Sequence, residues 1–181
     1  IDEVGRGPVA GPVVVCACAI RIGTDVVSLY PKKELRDSKK LSEKSRKYII
    51  LKVDPFQKSH EVFFGIGEVS ARTIDEIGIS AAIKEATLEA LTSLHRQGVP
   101  LDAFIFLDGS LHAPDGYSQE TIIKGDEKIP EISLASIYAK DYRDTKMKAF
   151  GLQYPGYFFE KHKGYGTSAH YEALKKHGLT E

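Results

Sequence analysis

A chain of 181 residues, 42% of them hydrophobic, has the size and composition of one globular domain with a buried core. Its 25 lysine and arginine residues are balanced by 25 aspartate and glutamate residues, which excludes a strongly basic surface over the whole protein and leaves only local sites for nucleic acid. No apolar stretch is long enough to span a bilayer and no signal-peptide pattern opens the sequence, so we expect a soluble protein that does not bind membranes.

The first third of the chain predicts strands joined by tight turns. Residues 13–20 are rich in β-branched side chains, and residues 23–25 are typical of a turn. In such a strand Cys16 and Cys18 would share a face and be poorly oriented for a disulfide. We therefore expect reduced thiols, which suit a cytoplasmic protein.

Helices and strands alternate after that point. A helix is predicted to begin with Ser42 as its N-cap and to end before Pro55, and a strand is predicted over residues 60–66. Apolar residues at helical spacing predict the next helix over residues 80–97, which Gly98 ends.

Two short strands in the second half each end near an aspartate. Residues 103–107 predict a buried strand before Asp108, and residues 121–123 predict another before Asp126. The remaining helices are predicted over residues 132–150 and 167–177.

This order of elements predicts an α/β fold with a mixed central sheet flanked by helices. The first strands should be antiparallel and the later strands parallel. Ligand sites in such sheets form beyond the carboxyl ends of the parallel strands, and Asp108 occupies such a position.

Four carboxylates form the candidate catalytic site: Asp2, Glu3, Asp108 and Asp126. This set of oxygen ligands, without histidine or cysteine, suits Mg²⁺ or Mn²⁺, and such ions assist phosphodiester hydrolysis. Neighbouring residues of a regular strand point to opposite faces, so Asp2 and Glu3 converge only if the chain twists or leaves the strand, which the following glycines permit. Taken singly, each carboxylate could instead be an ordinary turn residue or a solvated chain end.

Two glycine-containing loops could contact a sugar-phosphate backbone. The segment Gly5-Arg6-Gly7 resembles a phosphate loop, but the prolines after it prevent the helix that a dinucleotide site needs. Its amides and arginine could still contact phosphate, or it could be a plain tight turn. Tyr165 stands between glycines in a basic loop, where it could stack on a sugar or base or cover the core.

The charged residues 32–40 could contact phosphates or form a solvated loop.

A set of motifs resembles those of the bacterial ribonucleases HII, the type 2 ribonucleases H. The motifs lie at residues 1–12, 37–41, 107–109, 124–126, 133–140 with 143–144, and 163–167. Each motif alone is weak evidence, but together they follow the family's order along nearly the whole chain.

The resemblance implies a ribonuclease H-like fold and hydrolysis of the RNA strand of RNA–DNA hybrids with Mg²⁺ or Mn²⁺. It also implies cutting on the 5′ side of single ribonucleotides in duplex DNA, which leaves a 3′-hydroxyl and a 5′-phosphate. The catalytic and metal-binding residues would be Asp2, Glu3, Asp108 and Asp126. Gly5, Arg6 and Gly7 would read the ribose and its flanking phosphates, while Tyr165 stacks on that sugar and senses its 2′-hydroxyl. The substrate groove would be lined by Asp37, Ser38, Lys39, Lys40, Ser133, Ser136 and Lys140.

The chain also departs from the family pattern. Val4 stands where the family usually has alanine, and Gly78 replaces a common asparagine near a helix start, which puts that start in doubt. Because the sequence begins at Ile1 and ends at Glu181, we expect a single catalytic domain over residues 1–181, trimmed at its N-terminus and without the C-terminal tail of its relatives. We further expect a monomer.

Two alternatives stay open from the sequence. A type 3 ribonuclease H shares the fold and much of the opening motif, but Asp126 and Tyr165 argue against it because that type usually has a glutamate as fourth ligand. A catalytically silent fragment would bind nucleic acid without metal-dependent cleavage.

Overall fold

Five strands and six α-helices form within residues 1–26 and 41–180, the part of the chain that the computed structural model describes. The strands are β1 Asp2–Val4, β2 Val13–Ile20, β3 Val62–Val69, β4 Ile105–Asp108 and β5 Gln119–Ile122. The helices are α1 Glu43–Lys58, α2 Ala71–Ile77, α3 Ile79–Arg96, α4 Pro130–Gln153, α5 Phe159–His162 and α6 Ser168–His177, and a 3₁₀ helix spans Gly125–Glu127. No helix in this part of the chain is long and apolar enough to cross a membrane.

The strands combine an antiparallel set with a parallel pair. β2 pairs antiparallel with both β1 and β3, and β4 pairs parallel with β5. Two backbone hydrogen bonds join the sets: Ile1 N donates to Phe106 O at 2.8 Å, and Asp108 N donates to Ile1 O at 3.0 Å. This is the bonding pattern of parallel strands, so the spatial order is β3-β2-β1-β4-β5. The predicted antiparallel start and parallel later strands are confirmed.

The core has one layer on each face of the sheet. Val13 and Val15 of β2 pack with α3 on one face, whereas Val14 and Cys16 pack with α1 and α4 on the other. β2 is therefore buried on both faces, which explains why its sequence is continuously apolar rather than alternating. Both cysteines are free thiols, and burial raises the pKa of each.

Glycines in β3 allow α3 to lie directly against the sheet. A Cβ atom added to Gly65 would be 2.0 Å from the Ala90 carbonyl oxygen, and one added to Gly67 would be 1.9 Å from the Ala86 carbonyl oxygen. Real Cβ atoms do not come this close to backbone oxygens, so any larger residue at either position would push the helix away.

The predicted end of α1 before Pro55 is wrong, because the helix continues to Lys58. Pro55 removes one helical hydrogen bond, and its ring crowds the carbonyl of Leu51, which is left without that bond. Leu51 lies on the exposed side of the helix, where water can reach the carbonyl.

The segment around Gly78 contains a helix that the sequence did not predict. The side chain of Ser70 caps α2 by accepting a hydrogen bond from Thr73 N at 3.2 Å. Gly78 has a φ of 82°, which ends α2 and lets α3 start at Ile79 without a side-chain cap. The missing asparagine therefore does not prevent a helix start here.

We expect Gly67→Ala to lower the free energy of unfolding by about 3 kcal/mol, because the added methyl group overpacks the contact between β3 and α3. Urea denaturation measures this change. Gly7→Ala is the matched control, since its nearest neighbour would be a Tyr165 ring carbon at an ordinary 3.7 Å. Equal stability of the two variants would contradict this account of the packing.

Candidate active site

Asp2 and Asp108 lie side by side at the centre of the sheet. The two hydrogen bonds of Ile1 place it opposite Leu107, so Asp2 is opposite Asp108 in the parallel pair. Opposite residues of neighbouring strands project from the same face about 5 Å apart. Both side chains are buried, with 1% of Asp2 and 6% of Asp108 exposed.

Asp126 is brought to the same edge by the turn after β5. Asp108 Oδ1 accepts a hydrogen bond from Gly125 N at 2.6 Å, so the residue before Asp126 is bonded directly to a candidate metal ligand. Lys124 turns the chain there with a φ of 55°, and Asp126 is buried in the 3₁₀ helix that follows. The structure thus places Asp2 at the start of β1, opposite Asp108 at the end of β4, and Asp126 in the 3₁₀ helix that follows β5.

Glu3 stands apart from this group in the strand pairing. Asp2 is paired with Cys16 and Glu3 with Val15, whose side chains belong to the core layers on opposite faces of the sheet. β1 stays regular through Val4, and the chain leaves the strand only at Gly5, where φ is 105°. The strand pairing alone does not place Glu3 beside Asp2, and the role of Glu3 as a ligand stays a prediction.

The carboxylates have the chemistry of a magnesium or manganese site. Among residues 1–26 and 41–180, no group of three or more histidine, cysteine, aspartate or glutamate side chains is gathered closely enough to hold an ion on its own. Mg²⁺, however, is commonly bound by one or two carboxylates, with waters and substrate phosphate completing its coordination. The neighbouring pair Asp2 and Asp108, with Asp126 beyond Gly125, fits that mode of binding.

The two predicted substrate loops lie against each other. Val9 N donates to Gly164 O at 2.9 Å, and a Cβ added to Gly7 would be 3.7 Å from Tyr165 Cε1. The Tyr165 ring is 44% exposed, so one side of it is available to a ligand. The loop that follows Asp2 therefore adjoins an accessible tyrosine.

The remaining predicted contact residues differ in accessibility. Ser133 and Ser136 are buried in the first turns of α4, whereas Lys140 is partly exposed. Lys140 Nζ is 6.0 Å from the centre of the Tyr165 ring. The predicted residues Asp37, Ser38, Lys39 and Lys40 lie outside the described residues.

A second network connects Lys140 to the start of α1. Lys140 Nζ donates to Asp144 Oδ1 at 2.7 Å, and Arg46 Nη2 donates to Asp144 Oδ2 at 2.8 Å. Arg46 also donates to the Leu41 carbonyl at 2.8 Å. The buried carboxylate of Asp144 therefore holds one charged group beside Tyr165 and another beside Leu41, although Asp144 is not among the residues predicted to form the site.

Arg6 and Ser110 connect the first loop to the end of β4. Arg6 Nη1 donates to Ser110 Oγ at 3.0 Å on the exposed surface. Ser110 was not among the predicted site residues, and its position two residues after Asp108 is the only sequence signal for it. The contact holds the guanidinium of Arg6 near the carboxylate edge of the sheet.

Arg143 is the main site residue that sequence reasoning gave no role. It is fully buried, and its guanidinium donates to three backbone carbonyls of the two loops. Burial lowers its pKa. A signal was available, because Ala139, Arg143 and Met147 repeat at intervals of four residues and form the buried stripe of α4.

Two stacked histidines support the loop that carries Tyr165. The rings of His162 and His170 are 4.4 Å apart. His162 Nδ1 accepts from Gly164 N at 3.2 Å and its Nε2 donates to Tyr157 O at 2.7 Å, an arrangement that needs the neutral ring. Burial lowers the pKa of His162, which favours the same neutral form.

The order of the strands, with acidic residues at the ends of β1 and β4 and helices on both faces, defines a ribonuclease H-like fold. Solved structures agree. Ribonuclease HII from Archaeoglobus fulgidus, in a complex with PCNA, matches 97% of this chain and 85% of its own with a TM-score of 0.74 and 25% identity. Aquifex aeolicus RNase H3 matches 84% of this chain and 58% of its own with a TM-score of 0.64 and 18% identity, which shows the fold alone.

Sequence comparisons give the family. The ribonuclease HII family model matches residues 1–181. Ribonuclease HII of Chlamydia trachomatis serovar A is 46% identical over 180 residues, which cover 98% of this chain and 76% of that protein. Ribonuclease HII of Chlamydia pneumoniae is 43% identical over 178 residues, covering 98% of this chain and 77% of that protein. The chain belongs to the ribonuclease HII family and is a ribonuclease H, a hydrolase that depends on divalent metal ions.

We expect the stability of the protein to fall between about pH 7 and pH 5, partly because of His162. Its folded-state pKa lies below the ordinary value of 6.5. As the pH falls, the unfolded chain takes up this proton first, so unfolding becomes more favourable. Melting temperatures measured across this range should fall less steeply for His162→Gln than for the unsubstituted protein.

The matched control is His112→Gln, since His112 is exposed. It should keep the slope of the unsubstituted protein. Identical slopes for all three proteins would show that His162 does not contribute to the pH dependence.

Proposed function

We propose that this ribonuclease H hydrolyses the RNA strand of RNA–DNA hybrids and also cuts on the 5′ side of single ribonucleotides in duplex DNA. The products would carry a 3′-hydroxyl and a 5′-phosphate. The observation that supports recognition of one ribose is the position of Gly7 near the half-exposed Tyr165, where a Cβ added to the glycine would be 3.7 Å from Tyr165 Cε1. The same loop is tied to the end of β4, because Arg6 Nη1 donates to Ser110 Oγ, two residues after Asp108.

Tyr165 and the loop that contains Gly7 would each contact a different part of the ribose. A flat ring can stack on a ribose, and its hydroxyl can contact the 2′-hydroxyl that distinguishes RNA from DNA. A residue without a side chain at Gly7 leaves backbone groups open to the same sugar. DNA lacks the 2′-hydroxyl, so binding at this point favours a ribonucleotide.

The carboxylates would hold the metal at the scissile phosphate. Asp2 and Asp108 are the paired ligands, with Asp126 beside them and Glu3 as the fourth predicted ligand. Bound Mg²⁺ or Mn²⁺ supplies an activated water and stabilises the leaving oxygen. The hydrogen bond from Gly125 N fixes one oxygen of Asp108, which orients its carboxylate.

Basic groups beside the two loops would position the nucleic acid backbone. Arg6 can contact a flanking phosphate, and Lys140 presents its ammonium group beside Tyr165. The predicted groove residues Asp37, Ser38, Lys39 and Lys40 complete this surface in our proposal. Ser133 and Ser136 are buried, so they would support the inner wall of the site rather than an open groove.

We also propose a cytoplasmic monomer. The free, buried thiols of Cys16 and Cys18 support a reducing compartment. Family membership favours an active type 2 enzyme over a type 3 enzyme or a silent binding fragment.

Cleavage of a DNA duplex that contains one ribonucleotide tests substrate and metal together. We expect cutting on the 5′ side of the ribonucleotide with Mg²⁺ or Mn²⁺, no cutting with a chelator, and no cutting of all-DNA duplex. Cleavage of a long RNA–DNA hybrid without cleavage of the single-ribonucleotide duplex would contradict this substrate assignment.

Asp108→Asn should lower the cleavage rate by about 10³-fold, because it removes a ligand charge worth several kcal/mol to the metal-bound transition state. Its amide oxygen can still accept the hydrogen bond from Gly125 N, so the fold and the binding of the duplex should survive. Asp102→Asn, on an exposed turn before β4, is the control and should leave the rate unchanged. An undiminished cleavage rate of Asp108→Asn would show that Asp108 is not a catalytic metal ligand.

Tyr165→Ala should lower kcat/KM at a single ribonucleotide by about 10-fold to 100-fold, since stacking is worth about 1–3 kcal/mol per base. Tyr142→Ala is the matched control, because Tyr142 is 42% exposed and packs near Glu68 of β3, away from the loops. Equal rates for the two variants would show that Tyr165 does not contribute to recognition of the ribonucleotide.

A further inference from the structure

One buried arginine on α4 joins the two loops of the site. Arg143 Nε donates to Pro12 O at 2.8 Å, Nη2 donates to Ala10 O at 3.0 Å, and Nη1 donates to Lys163 O at 2.8 Å. Pro12 and Ala10 end the loop that begins at Gly5, which we call the glycine loop, residues 5–12. Lys163 begins the tyrosine loop, residues 163–167.

The buried charge of Arg143 is satisfied by backbone groups. The neighbouring carboxylate of Asp144 bonds to Arg46 and Lys140 instead. Burying a guanidinium is unfavourable unless its donors are hydrogen-bonded, so the position of the loop carbonyls is tied to the position of this side chain. The planar fork of arginine can reach carbonyls in several directions, whereas the compact ammonium group of lysine cannot.

The glycines of the first loop make room for this arrangement. A Cβ added to Gly5 would be 2.8 Å from Arg143 Nε and 2.5 Å from Pro12 O. One added to Gly11 would be 3.3 Å from Arg143 Nη2 and 2.4 Å from Met147 Sδ. Both glycines have positive φ values, 105° and 88°. They allow the loop backbone to close on the guanidinium, which is a reason for glycine separate from any contact with phosphate.

The tyrosine loop is fixed at each of its first three carbonyls. The Lys163 carbonyl accepts from Arg143, the Gly164 carbonyl from Val9 N, and the Tyr165 carbonyl from His170 Nδ1. Two of these three bonds come from Arg143 or from the glycine loop. The ring of Tyr165 therefore keeps its distance from Gly7 only while the two loops stay joined.

We propose that Arg143 is a positioning residue that sets the distance between the glycine loop and Tyr165, and thereby the selectivity for a single ribonucleotide. This inference rests on the proposed function of the two loops. Arg143 is fully buried and touches no substrate itself. A uniform RNA strand offers a ribose at every step, so loops that have moved apart can still bind one. An isolated ribose tolerates no such displacement.

The kinetic test combines Arg143→Lys with Tyr165→Ala. We expect Arg143→Lys to lower kcat/KM at a single ribonucleotide by about 10-fold to 100-fold and to lower cleavage of a uniform RNA–DNA hybrid much less. If Arg143 acts through the loops, the double variant should be no more than about 3-fold slower than Tyr165→Ala alone. Fully multiplicative losses, or equal losses on both substrates, would overturn the proposal.

A spectroscopic test does not depend on activity. The protein contains no tryptophan, so Tyr165→Trp provides a single fluorophore in the tyrosine loop. We expect acrylamide to quench this fluorophore more strongly when Arg143→Lys is added. Unchanged quenching in a folded double variant would overturn the proposal.

The controls separate positioning from general stability. Gly67→Ala weakens packing against α3. Added to Tyr165→Trp, it should lower the melting temperature without changing the quenching of the fluorophore. If Arg143→Lys does not fold, Arg143→Gln, which buries no charge, replaces it with the same expected and contradicting outcomes. An unsubstituted protein that leaves the single-ribonucleotide duplex uncut would count against the proposed function, and the quenching result would still decide the role of Arg143.

Discussion

The structure depends on the pair of backbone hydrogen bonds through which Ile1 joins the two halves of the sheet. They connect the antiparallel strands β1 to β3 with the parallel strands β4 and β5, and they fix the register of β1 against β4. A shift of one residue would place Asp2 and Asp108 on opposite faces. The register is therefore a requirement of the proposed metal site as well as of the fold, because a shift of one residue would separate the two carboxylates.

One helix positions both the strand that carries Asp2 and the two loops beside it. α4 packs against β1 and β2 through its apolar stripe, and the same stripe carries Arg143. The glycine loop is thus held at its start by β1 and at its end by the guanidinium. Any movement of α4 relative to the sheet would change both the surroundings of Asp2 and the distance between the loops, so the proposed metal site and the proposed ribose site depend on the same helix.

The sequence predicted the parts of this arrangement that follow from periodicity and chain order. The helical spacing of apolar residues identified α3, and the strand pattern placed Asp108 correctly at the end of β4. The spacing of Ala139, Arg143 and Met147 could have placed Arg143 on the buried stripe of α4. The sequence could not identify its carbonyl partners, which lie about 130 and 20 residues away along the chain. The extension of α1 through Pro55 also depended on solvent access to one carbonyl, which no local pattern records.

The charges near the site show why recognition has to depend on shape. Lys140 and Arg46 both donate to Asp144, so part of the positive charge available for phosphates is already neutralised within the protein. This local pairing matches the overall balance of 25 basic and 25 acidic residues. With little excess charge to attract DNA generally, the proposed function depends on contacts at particular points: a metal at one phosphate and a ribose recognised by the glycine loop and Tyr165. In that proposal a modest electrostatic attraction favours the rare ribonucleotide, because ordinary DNA would compete weakly for the same surface.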